Sequence, residues 1–184
     1  MYAIWEIKSF NVTITRSLYD YNTSTYVQDT TYSNTQQVTY GENLNIENFA
    51  NDIPHYTYVG YQVGDNKVVK IDAIVSIVKD TIINIVYDLN KYTITFNSSL
   101  AFTNRDSVLT YTNNYQTAII TGYYGQKLND IYSNIQELLT ISQKGYTLSG
   151  YIDELGVNKK VSEIVNLVIE KNSTYTANLV ANIY

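Results

Sequence analysis

The sequence predicts an α+β chain, mainly β, in which one pattern of a small sheet with one helix is written twice. Three observations carry that prediction. Twenty tyrosines in 184 residues, with Thr, Asn, Ile and Val supplying much of the remainder, favour pleated, half-buried strands. The run Gly145-Tyr146-Thr147-Leu148-Ser149-Gly150-Tyr151 echoes His55-Tyr56-Thr57-Tyr58-Val59-Gly60-Tyr61, so that Tyr-Thr-X-X-Gly-Tyr occurs twice. Beyond these heptads, Ile74-Val75-Ser76-Ile77-Val78 resembles Ile164-Val165-Asn166-Leu167-Val168, and both follow the heptad's last tyrosine by thirteen positions.

Taken in order, residues 3–7 read as a short leading strand in which Trp5 is a packing residue. Each copy then opens on period-two alternation, Asn11–Thr15 in the first and Lys91–Phe96 in the second, as expected of a strand with one buried face. Polar stretches follow, 16–34 and 97–117, and both read as long hairpins. The return strands reach matching turns at Tyr40-Gly41 and Tyr124-Gly125, where glycine suits a positive φ. Helical spacing comes next. Ile46, Phe49, Ala50 and Ile53 share a face, with Asn45 as N-cap and Pro54 as the stop. In the second copy Ile131, Ile135, Leu138 and Leu139 do the same, capped by Asn129 or Asp130 and stopped at Gly145. After the heptads the copies close on strands at Thr81–Tyr87 and Thr174–Val180. Only Asp88-Leu89-Asn90 links the copies, with no flexible spacer. The expected divisions are therefore a leading strand 1–9, a first repeat 10–90 and a second repeat 91–184.

Charge and composition exclude several classes. A formal net charge of −5 with few basic residues is the opposite of a nucleic-acid footprint. The absence of cysteine removes disulfides, thiolate catalysis and Cys-ligated zinc. The N-terminus lacks the pattern of a signal peptide. No window approaches the roughly 18 apolar residues that read as a membrane span, so membrane insertion is not expected.

With these motifs in place the chain resembles the internalin-type B-repeat of bacterial surface proteins, a β-grasp-like (ubiquitin-like) module found in tandem. In the second copy the resemblance rests on Tyr92–Phe96, Tyr124-Gly125, Gly145–Tyr151 and Thr174–Val180. In the first it rests on Val12–Thr15, Tyr40-Gly41, Tyr56–Tyr61 and Thr81–Tyr87. The departures are specific. Asn97-Ser98-Ser99 and Ser17-Leu18-Tyr19 stand where the family has Asn-Gly-Gly, and Tyr61 and Tyr151 replace its heptad Trp. The resemblance implies two tandem β-grasp-like repeats, a spacer or adhesion role, and no catalytic residues.

No constellation for catalysis, metal or cofactor emerges from the residues themselves. His55 is the one histidine; it aligns with Gly145 and reads as a turn residue. Asp65 and Asp153-Glu154 lie in loops after the heptads, without the Asp-X-Asp-X-Asp-Gly spacing of a calcium loop. Tyrosine joins an apolar face to a polar tip, which suits interfaces. Tyr19, Tyr21, Tyr26 and Tyr32 crowd the first polar stretch, and Tyr111 and Tyr115 sit in the second. These six are the candidate partner-binding residues. The reading is a non-enzymatic structural or binding module, foremost a bacteriophage virion component such as a head decoration, fibre or tail protein at the virion surface. The alternatives are a fragment of a bacterial cell-surface adhesin and a carbohydrate-binding module. The partners expected are other structural chains or further copies of this one, and a glycan under the last alternative.

Overall fold

The computed structural model describes residues 6–66, 69–72 and 74–183, and the chain divides into two compact units, Met1–Asn90 and Lys91–Tyr184. The expected leading strand falls partly outside the described residues, Trp5 with it, and Glu6 to Lys8 are not in a strand.

The first unit contains β1 (Ser9–Asp20), β2 (Thr25–Thr39), β3 (Asn43–Asn45), β4 (Tyr56–Val63), β5 (Ile74–Ser76) and β6 (Thr81–Leu89). Four of them form a sheet in the order β2-β1-β6-β4, while β3 and β5 pair separately. Strands β1 and β6 run parallel, from Val12 opposite Thr81 to Leu18 opposite Tyr87. The alternation read at Asn11–Thr15 has its cause in the core: Val12 and Ile14 are fully buried beside Ile46, Tyr61, Ile77, Ile83 and Ile85. Each such aliphatic side chain contributes about 1.5–3 kcal/mol by leaving water.

The second unit contains β7 (Lys91–Asn97), β8 (Thr110–Thr112), β9 (Thr117–Tyr123), β10 (Tyr146–Ile152), β11 (Asn158–Lys159) and β12 (Ser173–Ala181). All six make one sheet, β11-β10-β12-β7-β9-β8. Its first and last strands, β7 and β12, are again parallel neighbours. Phe96, Phe102, Ile120, Ile135, Leu139, Tyr151 and Ile164 fill its core.

The expectation of two β-grasp-like repeats, each carrying one helix, is corrected by this structure. The protein is mostly β, with sheets of four, two and six strands. Among the described residues helix occurs only as four-residue turns: a 3-10 turn at Ile46–Phe49, α1 (Leu128–Ile131), α2 (Ile135–Leu138) and α3 (Val161–Ile164). The apolar spacing marked residues that meet the cores: Ile46, Ile135, Leu138 and Leu139 are buried, and Phe49, Ala50, Ile53 and Ile131 pack half-buried against them. It overstated the length. Short helices are marginal by themselves, and here tertiary bonds claim the backbone that would extend them. The Tyr87 hydroxyl donates to the Asn51 carbonyl at 3.0 Å. The Asn104 side chain donates to the Glu137 carbonyl at 3.2 Å, and Thr103 exchanges bonds with the Ser142 backbone. Between α1 and α2 the backbone at Tyr132 is extended, with φ −152°. The stretch 97–117 departs from a hairpin too: β8 pairs with β9 over three residues, and the loop before it buries Phe102 completely.

What recurs is a set of backbone devices. The Asn90 N–H donates to the His55 carbonyl and the Asn182 N–H to the Gly145 carbonyl, both at 2.8 Å. The Asn90 and Asn182 side chains accept from Thr57 and Thr147 at 2.7 and 2.8 Å. His55 (φ +67°) therefore occupies the backbone position held by Gly145 (φ +89°). The Gly41 and Gly125 N–H groups donate at 2.8 Å to Ile77 and Ile169. That last pair shows the equal spacing from Tyr61 and Tyr151 to be coincidental. Ile77 corresponds to Ile169, while Ile74 is in a strand and Ile164 in a helical turn.

The Gly-Tyr of the heptad has a steric reason. At Gly60 and Gly150 the ladders to β6 and β12 slip by one residue, and φ is +139° and +151°. A Cβ at either glycine would lie 2.3 Å from a backbone oxygen, of Lys70 and Lys159 respectively. The bulge turns the following tyrosine inward: Tyr61 is 1% exposed and Tyr151 fully buried. The Tyr151 hydroxyl donates to the Leu139 carbonyl at 2.7 Å.

Two predictions follow from these positions. Gly150→Ala has to move a strand carbonyl as well as adopt a strained φ, and urea unfolding is expected to show a loss of about 3 kcal/mol; an unchanged midpoint would refute the close approach. Buried hydroxyls differ in their partners: the Tyr58 hydroxyl has none among the described residues, whereas that of Tyr151 has Leu139. Tyr58→Phe is therefore expected to stabilise by about 1 kcal/mol and Tyr151→Phe to destabilise by about 1–2 kcal/mol, compared in the same titration.

Candidate functional site

The first unit's long hairpin is straight at its base and distorted toward its tip. From Ser9 to Thr15, β1 pairs regularly with β2 from Thr39 to Ser33. The register then slips. Between the pairs Thr15–Ser33 and Ser17–Gln28, Arg16 alone faces the segment Asp29 to Tyr32, so β2 swells outward there.

Charge-assisted bonds hold that bulge. Asp29 accepts from the Thr31 N–H at 2.9 Å and the Thr31 hydroxyl at 2.6 Å with one oxygen. Its other oxygen accepts from Arg16 Nε at 2.6 Å and lies 2.6 Å from Nη2. The guanidinium also covers the Tyr32 ring at 4.6 Å, a cation–π contact. These donors hold the Asp29 carboxyl at about 2, the Thr31 hydroxyl contributing most, then the Thr31 amide, then Arg16.

Nearer the tip, Tyr19 and Tyr26 face each other across the ladder, their rings edge-to-face at 5.4 Å. The Tyr26 hydroxyl donates to Asp88. Tyr21 lies in the turn, where Asp20 accepts from the Asn22 N–H at 2.9 Å and the Thr23 hydroxyl at 3.3 Å. Beside this ladder is an open depression of about 350 Å³. Leu18, Tyr19, Val27 and Tyr56 give it apolar walls, and Asp20, Gln28, Asp29 and Thr30 give it polar edges. Burial, and then the charge on Asp20, push the Tyr56 hydroxyl above its ordinary pKa.

In the second unit Tyr111 and Tyr115 come together at 6.1 Å, with Phe102 6.2 Å from Tyr111. The Arg105 guanidinium covers the Tyr115 ring at 3.7 Å. Asn113, Asn114 and Tyr115 have successive φ values of +50°, +53° and +64°, and for a bulky residue such as Tyr115 that conformation is strained. Its carbonyl accepts from the Phe102 N–H at 2.8 Å, which ties the strained turn to the backbone of a residue whose side chain is buried in the core.

The six tyrosines singled out in the sequence thus serve different ends. Tyr19 and Tyr26 form a pair, Tyr32 belongs to the bulge, Tyr21 sits in the turn, and Tyr111 with Tyr115 forms the second unit's cluster. Sequence reasoning missed Tyr56, assigned only to the heptad, and the Arg16–Asp29 clasp. A signal for the clasp was present: the chain has two arginines, Arg16 and Arg105, and each lies over a tyrosine ring. Two of the acidic residues weighed for calcium are engaged within the fold, Asp153 in its own turn and Glu154 at the start of β12. Asp153 accepts from the N–H groups of Val157 at 2.9 Å and Leu155 at 3.0 Å, and Glu154 accepts from the Thr174 N–H at 3.1 Å. Among the described residues no three His, Cys, Asp or Glu side chains are grouped to hold a metal ion, and no helix is long and apolar enough to cross a membrane.

The bulge has a defined pH response. Because Asp29 titrates at about 2 when folded, below its ordinary 3.8, its contribution is complete above pH ~4 and disappears as pH falls through about 2. The Thr31 amide and Tyr32 ring resonances are expected to hold steady from pH 7 to 3 and to move with a midpoint near 2. In Arg16→Gln that midpoint rises toward 3.8. A wild-type midpoint at 3.8 would mean that the clasp does not form.

No protein-family model matches the chain, and no curated protein matches it. Among solved structures, the type 2 repeat of the mucus binding protein MUB from Lactobacillus reuteri is similar to it at 12% identity and a TM-score of 0.24, over 94% of this chain and 100% of that one. Likeness at that level carries no argument about this chain, and the internalin-type resemblance is not confirmed by a family match.

Proposed function

We propose that the chain is a non-catalytic binding module of the bacterial cell-surface kind, and that the depression on its first long hairpin receives a neutral sugar. The observation that carries this reading is the make-up of that depression. Ring and aliphatic walls from Tyr19, Tyr56, Leu18 and Val27 stand beside fixed polar groups at Asp20, Gln28, Asp29 and Thr30, the mixture that small-molecule sites use for affinity and orientation. Its volume of about 350 Å³ lies in the range of such sites. Asp29 is paired with Arg16, and Asp20, bonded within its own turn, leaves its charge beside Tyr56, so the polar edges suit ligand hydroxyl groups and disfavour an anion. Elsewhere the acidic side chains Asp106 and Asp153 accept hydrogen bonds from backbone N–H groups within their own turns, as shape-giving residues do. No structural observation supports a virion placement.

Glycan-array screening of the intact chain, followed by NMR titration with the best hit, tests this. Binding is expected to perturb Tyr56 and Gln28. Val27→Glu, at a side chain 48% exposed, is expected to weaken binding by at least about tenfold while leaving the unfolding midpoint unchanged. A screen without hits, or a hit that Val27→Glu leaves intact, would end the sugar reading.

A further inference from the structure

Sheet edges invite pairing with other chains, and folded proteins blunt them with short strands, lysine, proline or a covering segment. Three of the edges here are blunted. Strand β8 has three residues and β11 two, while β4 is covered at Tyr61, which exchanges backbone bonds of 3.0 and 2.7 Å with Lys70. Strand β2 is different. It runs for fifteen residues at the edge of its sheet, pairs among the described residues with β1 alone, and contains no lysine, arginine or proline.

Beyond the bulge its segment Ser33-Asn34-Thr35-Gln36-Gln37 is straight, and Ser33, Asn34, Thr35 and Gln37 are exposed. We propose that this segment is a homotypic interface, at which two copies of the chain pair β2 against β2, antiparallel about a two-fold axis at Thr35. Two features of the strand select a second copy as the occupant. The one charged side chain on β2 is Asp29, already neutralised by Arg16. Two molecules of net charge −5 therefore meet along an edge that sets no like charges against each other. The segment is also self-complementary. With the axis at Thr35, threonine faces threonine, Asn34 faces Gln36 of the second copy, and Ser33 faces its Gln37. Hydroxyl and amide pairs of this kind favour cross-strand association. The Asp29–Tyr32 bulge ends the regular edge on one side, and an isologous pairing uses up the patch on both copies. The product is a closed dimer and no filament. This interface does not depend on what occupies the depression.

The chain has no cysteine, which permits a direct test. Opposed residues of an antiparallel pair have Cα atoms about 4.5–5.5 Å apart, within the span of a disulfide. Under mild oxidation Thr35→Cys is expected to give a covalent dimer, and Thr121→Cys, at an exposed position of the second unit, to give little. Sedimentation of the unmodified chain is expected to show a dimer, and Thr35→Lys, with an unchanged circular dichroism spectrum, a monomer. Four results would each overturn the proposal: a wild-type monomer up to about millimolar concentration (as expected if β2 takes an extended peptide of another protein), equal cross-linking rates at the two cysteines, a wild-type dimer that does not cross-link at Thr35→Cys, or a dimer that survives Thr35→Lys.

Discussion

In both units the first and last strands are parallel neighbours, and that constraint governs everything between them. Parallel strands cannot be joined by a tight turn, so the chain must leave β1, cross the sheet and return to lay β6 alongside it, as it does again from β7 to β12. The crossing segments hold the short pieces: the 3-10 turn and the β3–β5 pair in the first unit, the single helical turns in the second. Their task is to bury Ile46 and Ile77, or Ile135, Leu139 and Ile164, against one face of a sheet. Regular secondary structure is secondary to that: the first crossing pairs two three-residue strands beside its 3-10 turn, and the second has a single bridge, Lys127 to Val168, among its helical turns.

The recurring polar residues belong to the same problem. Asn90 and Asn182 tie the end of a unit's last strand to the first residue of its heptad. Gly41 and Gly125 anchor the turn after the return strand to Ile77 and Ile169. Gly60 and Gly150 let a crossing carbonyl approach closely enough for the next tyrosine to turn into the core. Each device satisfies a backbone group that the crossover would otherwise leave without a partner.

Much of the strand framework was legible in the sequence because its signals are local. Period-two alternation at Asn11–Thr15 and Lys91–Phe96 reflects one-sided burial, and the duplicated Gly-Tyr reflects a bulge. The helices were misjudged because apolar spacing reports which residues face a core and says nothing of how many turns survive competition. The bonds from Asn104 and Thr103 to the backbone near α2 come from a loop more than thirty residues away. The equal spacing that matched Ile74 to Ile164 was misleading for the same reason, since strand and helical turn advance by different distances per residue. Within the hairpin, the crowding of tyrosines was visible. The clasp of Arg16, Asp29 and Tyr32 was not, because it exists only once the register has slipped.

Parallel placement of the terminal strands has one more outcome, for a chain held at both ends. The entry of β1 and the exit of β6 lie at opposite ends of adjoining strands, and so do those of β7 and β12. Tension applied through the ends of a unit therefore acts along the shared ladder, loading its hydrogen bonds together in shear and leaving no free end from which they unzip in turn. A unit built this way resists stretching best when it is pulled through its two ends.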